Sequence, residues 1–336
     1  MPLKNFSHNR PPERGIRVPA EIMQQLVSTL WERADFPAQD ADLLADILVR
    51  CDLRCVFSHG TRQLDHYLPL VRDGRINPRP QIKVMQESAT TLVLDGDGGM
   101  GYLPCWRGSE QILEKAAAQG MAALTTRNHY HFGSAGNYSR LGLAHNYIGI
   151  ASSSHRFSLT PESSITGICG VSPLSVAVPT GDQPPLVLDM GTPQPPQPYE
   201  DHAGLVFKTL GLNAVVHVLG AILPGIYRPE CREPQSPWTA NQGSFVAFFD
   251  IEGFMSQEEF KEEIDRYIGA ARAMQPLPGM DRTELAGGME WAWDQENRRE
   301  GIPVADDHRE LLERIAAEWG VESPFGAYDH TRFCRR

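Results

Sequence analysis

The 336-residue chain has no run of 18 consecutive apolar residues, and its opening "MPLKNFSHNRPPERG" has no leader-like apolar stretch. Neither a membrane span nor a secretory signal is expected, and a soluble cytoplasmic protein is the default. Positive charge is scarce: 31 lysines and arginines against 42 acids give a net charge of −11 at pH 7. A protein that tracks a phosphate backbone needs a basic field, so nucleic acid is not an expected partner. The six cysteines (Cys51, Cys55, Cys105, Cys169, Cys231 and Cys334) are scattered, and no two have CxxC spacing. Nothing asks for a disulfide framework or a zinc site. There is no GxGxxG after a strand, no GxxxxGK[ST], no HExxH and no internal repeat, which argues against a Rossmann site, a P-loop and a metalloprotease centre.

What is present is an ordinary 41% of hydrophobic residues, with 26 prolines and 30 glycines that imply many loops. The length suits about two domains. "PAEIMQQLVSTLWERA" and "AQDADLLADILVRCDL" carry apolar residues at helical spacing, with Asp35, Phe36 and Pro37 between them. A third helix is expected from about Gln63 to Arg72. Strand patterns then take over: "QIKVMQ", "ATTLVLDG", "MAALTTR", "NYIGIASSS", "LSVAVPTG", "PLVLDMG" and "SFVAFFDI". Helices are predicted between them over about 105–119 and 135–144, and again in "GLNAVVHVLGAIL". "TPQPPQPYEDHAG" reads as an irregular loop. Ser256 with Glu259 forms a capping box, and a last amphipathic helix covers about 307–319. The class is α/β, with helical ends around a strand-rich middle.

Two histidine clusters can carry chemistry. In "TTRNHYHFGSAGNYSR", His129 and His131 follow a strand, and small residues follow them. With a carboxylate they can hold a metal, but no dense acidic partner is near, so no metal is expected. The segment "HFGSAG" can present free N–H groups to an anion. In "SHG", Ser58–His59–Gly60, the imidazole titrates near neutral pH and suits proton transfer to a carbonyl oxygen. Arg54 and Arg62 lie close by, and a guanidinium can fix a carboxylate by two hydrogen bonds.

"ADLLADILVRCDLRCVFSHG", Tyr67, "LVRDGRINPRP", "LVLDGDGGMGYLPCWRGSEQILEKAAAQGMAALTTRNHYHFGSAGNYS", "HNYIGIASSS", "SPLSVAVPTG", "PPLVLDMGT", "GSFVAFFDIEGF", "LPGM" and "RREGIP" resemble, in that order, the malate/L-lactate dehydrogenase family of the sulfolactate-dehydrogenase type. That group includes ureidoglycolate dehydrogenase, diketogulonate reductase and the cyclic ketimine reductases. The resemblance implies a non-Rossmann, NAD(P)-binding α+β fold with a mostly antiparallel sheet, and a homodimer. It implies a helical substrate and dimerisation domain over 1–80 with 305–336, and a cofactor-binding sheet domain over 81–304. It also implies reduction of a small anionic 2-oxo acid or a cyclic imine by NADH or NADPH, or the reverse oxidation of a 2-hydroxy acid. His59 and His131 match acid/base positions. Asp189 is implied in catalysis or cofactor contact, Ser58, Arg62 and Tyr67 in substrate binding, and His155, Met190, Gly191 and Lys208 in cofactor binding.

The chain departs from the family pattern at four places. Gln63 stands where an arginine is usual, which leaves Arg62, Arg54 or Arg156 to meet a carboxylate. "GVSP" replaces "GTNP". His155 replaces a serine. A short proline-rich link replaces a longer segment after "LDMGT" that helps wall the cofactor site. The alternative function is therefore a non-catalytic binding or scaffold protein that keeps the fold.

Overall fold

The structure is a computed structural model and describes residues 9–170, 172–278 and 282–334. The first eight residues, Val171 of "GVSP", and Gly279 and Met280 of "LPGM" lie outside them. The chain divides into two compact units, Met1–Gly74 with Tyr267–Arg336, and Arg75–Arg266.

The first unit begins with strand β1 (Arg14–Val18) and helices α1 (Ala20–Arg33), α2 (Ala38–Leu53) and α3 (Leu64–Arg72). Pro19 and Pro37 precede α1 and α2 with φ of −55° and −58°. Their fixed φ and missing N–H suit a helix start. Met23, Val27, Leu30 and Trp31 form the buried stripe of α1, and Leu44, Ile47, Leu48 and Cys51 that of α2. The C-terminal part adds α8 (Gly288–Glu300), β9 (Ile302–Val304), α9 (Asp306–Glu318) and β10 (Phe333–Cys334). β1 is the middle strand of a three-stranded antiparallel sheet in the order β10-β1-β9. Asn297 of α8 is buried and donates to the Leu53 carbonyl at 2.8 Å, while its side-chain oxygen accepts from Arg17 at 2.8 Å. One amide thus ties α8 to the end of α2 and to β1.

The second unit is built on seven strands: β2 (Lys83–Glu87), β3 (Thr91–Asp95), β4 (Met121–His129), β5 (Tyr147–His155), β6 (Pro173–Val178), β7 (Leu186–Gly191) and β8 (Gln242–Asp250). Their order is β2-β3-β4-β8-β5-β6-β7. Only the β3–β4 pair is parallel, and α4 (Tyr102–Gln119) makes its crossover. The other pairs are antiparallel, as the resemblance implies. The chain needs Gly108 where α4 meets the sheet. A Cβ there would fall 2.7 Å from a Leu124 methyl and 2.8 Å from one of Leu94.

Three local expectations are revised. The helix predicted over 135–144 is a single turn, α5 (Gly136–Ser139), followed by a 3-10 stretch at Arg140–His145. β4 runs two residues beyond the expected "MAALTTR" and stops at His129, with a register shift after Thr126 and a positive φ at Asn128. His131 therefore does not share a strand face with His129. "GLNAVVHVLGAIL" forms a longer helical run than expected: α6 (Ala203–His217), preceded by a 3-10 turn at Tyr199–His202 and continued by a π turn at Val218–Ile222. This 24-residue run has a mean hydropathy of 1.7 over its most apolar window, and Leu205, Phe207, Val215 and Ile222 on it are exposed. Its length and composition would let it cross a membrane, and the core helix of a soluble protein has the same features. Helix α7 (Gln257–Arg272) follows, with the expected capping box: Ser256 donates to Glu259 at 2.7 Å and accepts its N–H at 3.2 Å.

Candidate functional site

The residues expected to act fall into two groups. Ser58, His59, Arg62 and Tyr67 belong to the first unit. His131, His155, Asp189, Met190, Gly191 and Lys208 belong to the second.

In the first unit α2 ends at Leu53, Cys55 takes a positive φ of 57°, and two 3-10 turns, Phe57–His59 and Thr61–Gln63, lead into α3. Ser58 is exposed and His59 half-buried. The Ser58 hydroxyl and His59 Nδ1 are 2.9 Å apart. Gln63, standing where an arginine is usual, turns back on the loop and donates its amide to the Ser58 carbonyl at 2.5 Å. Arg62 is paired with Asp307 at 2.9 Å. Ser58, Arg62 and His308 line a recess of 340 Å³, with Arg10 and Phe57 among its other walls. Tyr67 is 1% exposed and stacks on Trp31 with ring centroids 6.3 Å apart. It offers a ligand almost no surface.

Beneath this turn lies a group that sequence reasoning missed. Asp52, Thr61 and His308 are all buried. Thr61 donates its hydroxyl to Asp52 at 2.5 Å, and the same hydroxyl is 2.9 Å from His308 Nε2. Burial pushes the Asp52 carboxyl up to about 7 and the His308 imidazole down to about 3. A signal for both existed. Asp52 continues the Leu44–Leu48 stripe at a four-residue step, and His308 precedes Leu312 at the same step on α9. An ionisable residue on an apolar stripe asks for a buried partner.

In the second unit the two histidines of "HYH" separate. His129 is fully buried, with Nε2 2.7 Å from the Thr126 hydroxyl and Nδ1 2.6 Å from the Tyr130 carbonyl. Burial lowers its imidazole to about 4, so it is neutral at working pH and structural. Thr126 also meets Ser244 at 2.6 Å, and both contact the Cys105 thiol, which burial pushes up to about 12. That thiol is no nucleophile. His131 is half-buried, and its Nδ1 accepts the Gly133 N–H at 3.3 Å. In a neutral ring this geometry puts the proton on Nε2. Gly133 has φ of 83°, and a Cβ there would lie 2.4 Å from the Tyr102 ring.

Asp189, on β7, accepts a hydrogen bond from Ser134, and Arg140 approaches it at 3.8 Å. Gly136 has to be small between them, since a Cβ would fall 2.2 Å from Arg140 Nη1 and 2.3 Å from an Asp189 oxygen. At the end of β7, Gly191 has nothing within 4 Å of its Cβ position, and the neighbouring Thr192 hydroxyl is buried without a hydrogen-bond partner among the described residues. Lys208 is exposed on α6.

Two of the departures from the family pattern, "GVSP" and His155, meet in space. Ser172 of "GVSP" donates to Ser154 at 2.7 Å. Ser154 contacts His217 Nδ1 at 2.8 Å, and His217 Nε2 contacts the Tyr227 hydroxyl at 3.1 Å. His155 lies beside Phe157, whose ring is 4.5 Å from that of His217. Burial lowers both imidazoles, with His155 adding to the effect on His217. Arg156 is not a spare carboxylate binder. It donates to the carbonyls of Ile226, Cys231 and Ala240 at 2.8, 3.1 and 2.7 Å and pins the 226–240 loop. Arg54 donates to the Cys51 sulfur at 3.7 Å.

Among the described residues no group of three or more histidine, cysteine or acidic side chains can hold a metal ion.

Comparison with known proteins places this arrangement. A sequence profile described as malate/L-lactate dehydrogenase matches residues 18–197 and 202–313. The malate dehydrogenase of Pyrococcus horikoshii is 28% identical over 92% of this chain and 97% of its own length. The L-sulfolactate dehydrogenase of Methanocaldococcus jannaschii is 27% identical over 90% and 96%. The solved structure of the Pyrococcus horikoshii OT3 malate dehydrogenase superposes with a TM-score of 0.80, covering 95% of this chain and 99% of that one. The profile spans both histidine loops, the Asp189 strand and Lys208, and the fold is shared over nearly the whole length: the chain belongs to the malate/L-lactate dehydrogenase family and is an NAD(P)-dependent dehydrogenase of that family.

Proposed function

We propose that this enzyme transfers hydride between NADH or NADPH and a small anionic 2-oxo acid or a cyclic imine, or runs the reverse oxidation, with His59 as the acid/base group and His131 as the second candidate. The names of the relatives, malate, L-sulfolactate and ureidoglycolate dehydrogenase (NAD(+)), support the substrate class. The observation that carries the reading is the Ser58–His59 pair: a half-buried imidazole 2.9 Å from a hydroxyl, in a turn whose Ser58 and Arg62 line a recess. An imidazole so placed can give a proton to a heteroatom and take it back near neutral pH.

The second unit carries residues that fit a dinucleotide. The bare backbone of Gly191 admits close approach, the unpartnered Thr192 hydroxyl has a hydrogen bond to give, and the Lys208 ammonium suits a phosphate. In this reading Asp189, Met190, Gly191, Lys208 and His155 hold the cofactor, which when bound supplies the hydride. Ser58 and Arg62 hold the substrate, and Tyr67 backs them. The helical segments, 1–80 with 305–336, are the substrate and dimerisation domain, and 81–304 the cofactor domain. The protein acts in the cytoplasm as a homodimer, without nucleic acid or membrane as partner.

The test is a titration of purified protein with NADH and NADPH by fluorescence, followed by 2-oxo acid- and cyclic imine-dependent oxidation of the one that binds. Micromolar binding and turnover support the reading. A folded protein that binds neither cofactor rejects it in favour of a binding or scaffold role.

A further inference from the structure

We propose that Asp52, Thr61 and His308 form a positioning network that sets the orientation of His59. The network is continuous and buried. While Asp52 is ionised, Thr61 gives its one hydroxyl proton to Asp52 Oδ2 at 2.5 Å, so His308 Nε2, 2.9 Å away, donates to the Thr61 oxygen. The Thr61 N–H lies 3.3 Å from both oxygens of the same carboxylate. Asp52 thereby grips the backbone immediately after the "SHG" turn. The grip is tight enough that Gly60 cannot carry a side chain: a Cβ would fall 1.8 Å from Asp52 Oδ1.

The turn is held from its other sides too. Gln63 closes it on the Ser58 carbonyl, and the Phe57 ring meets His308 edge-on at 5.8 Å. His308 thus has two faces of work: it ends the hydrogen-bonded chain, and it walls the recess beside Ser58 and Arg62. A carboxylate taken out of water is costly unless its oxygens are satisfied, and one that holds a short turn by backbone and hydroxyl together has little freedom to move. Removing the middle hydroxyl takes one donor from Asp52 and the Thr61 acceptor from His308 Nε2, and so loosens the anchor of the turn. None of the three residues touches the reacting atoms in this scheme. They act through His59.

The inference rests on reading His59 as the acid/base group, and the experiment separates the two. Protein labelled with nitrogen-15 in its histidines is titrated by NMR, with the His59 signal assigned by its loss in His59→Gln. In Thr61→Val and His308→Leu the ring shifts and titration midpoint of His59 are expected to move and kcat to fall about 10-fold or more. In Thr61→Val, at a residue that does not line the recess, KM is expected to change little. Thr61→Ser, which restores the hydroxyl, and His308→Gln, which keeps an N–H donor, return both towards wild type. These two also serve if the first pair fails to fold. A His59 signal unchanged in Thr61→Val overturns the network's role. A His59 signal that moves while His59→Gln retains full turnover upholds the positioning and removes His59 as the acid/base group.

Discussion

Ser134 donates its hydroxyl to the Asp189 carboxylate, so the acid of the "LDMGT" strand is engaged within its own unit. Arg140 stands 3.8 Å from the same oxygen. An acid held in this way orients neighbours better than it shuttles protons. Asp189→Asn is therefore expected to weaken NADH or NADPH binding several-fold while kcat at saturating cofactor stays within about threefold, a pattern that marks lost binding rather than lost chemistry. Fluorescence titration and steady-state kinetics read the two separately. A collapse of kcat with unchanged cofactor affinity would make Asp189 a proton-transfer group instead. Asp189→Ala goes further, because Arg140 loses its counter-charge in a site where its side chain is only 17% exposed. Urea unfolding should show a loss of about 2 kcal/mol.

The two candidate histidines are told apart by their separate variants. His59→Ala should lower kcat by about 100-fold or more, the usual worth of a positioned acid. His131→Ala should act less on kcat and more on KM if the half-buried His131 only borders the bound ligands. The reverse ranking would transfer the acid/base role to His131.

The larger architecture could be read before any coordinates. All seven strands of the sheet were marked by short β-rich runs bounded by glycine, proline or aspartate, and α1, α2 and the capped α7 by their period and their end signals. What local pattern does not carry is partnership between distant segments. β1, β9 and β10 are five, three and two residues long. Each is too short to show alternation, and they pair only because the chain ends come together. The same holds at the sites. "SHG" is legible as a turn with an imidazole, but Thr61 and His308 are 247 residues apart. "GVSP" and His155 read as separate departures, and only the fold joins Ser172 through Ser154 to His217, beside His155. The break between His129 and His131 was hidden because it depends on a positive φ at Asn128, a conformation asparagine tolerates without advertising it.

Buried imidazoles are expected to set the acid limit of stability. His129, lowered by burial to about 4, stays neutral in the fold while its unfolded counterpart takes a proton near pH 6.5. Between those values the unfolded chain binds more protons, so stability rises with pH across that window and is lost as pH falls through it, by about 3 kcal/mol in all. His308, lowered to about 3, adds a slope of the same sign. Asp52 opposes it: its carboxyl is raised to about 7, so the fold holds the extra proton and stability falls as pH rises from the unfolded value near 4 to 7. Over pH 4 to 6.5 the Asp52 and His308 slopes largely cancel, and His129 is left to dominate. Denaturant unfolding at stepped pH should therefore show a steady gain from pH 4 to 6.5. His129→Gln should flatten that gain, at some cost to stability at pH 7. A profile as steep in the variant as in wild type would assign the acid sensitivity elsewhere.

Arg156 and Arg62 make the last contrast. Both are candidates from the sequence to meet a carboxylate, and their surroundings differ. Arg156 spends its guanidinium on three backbone carbonyls of one loop, at 2.7 to 3.1 Å. Arg62 pairs with Asp307, whose side chain is 73% exposed, and it lines the recess beside Ser58. Three hydrogen bonds from a charged donor to buried-loop carbonyls are costly to lose, so Arg156→Ala should destabilise the protein by about 3 kcal/mol. Below its unfolding transition that variant should keep the KM of wild type. Arg62→Ala should do the opposite. An exposed ion pair is worth at most about 1 kcal/mol, so unfolding should barely move. A substrate carboxylate that loses its guanidinium should raise KM about 10-fold or more. Thermal unfolding and kinetics on the same two variants decide it, and a raised KM in Arg156→Ala with Arg62→Ala unaffected would exchange their roles.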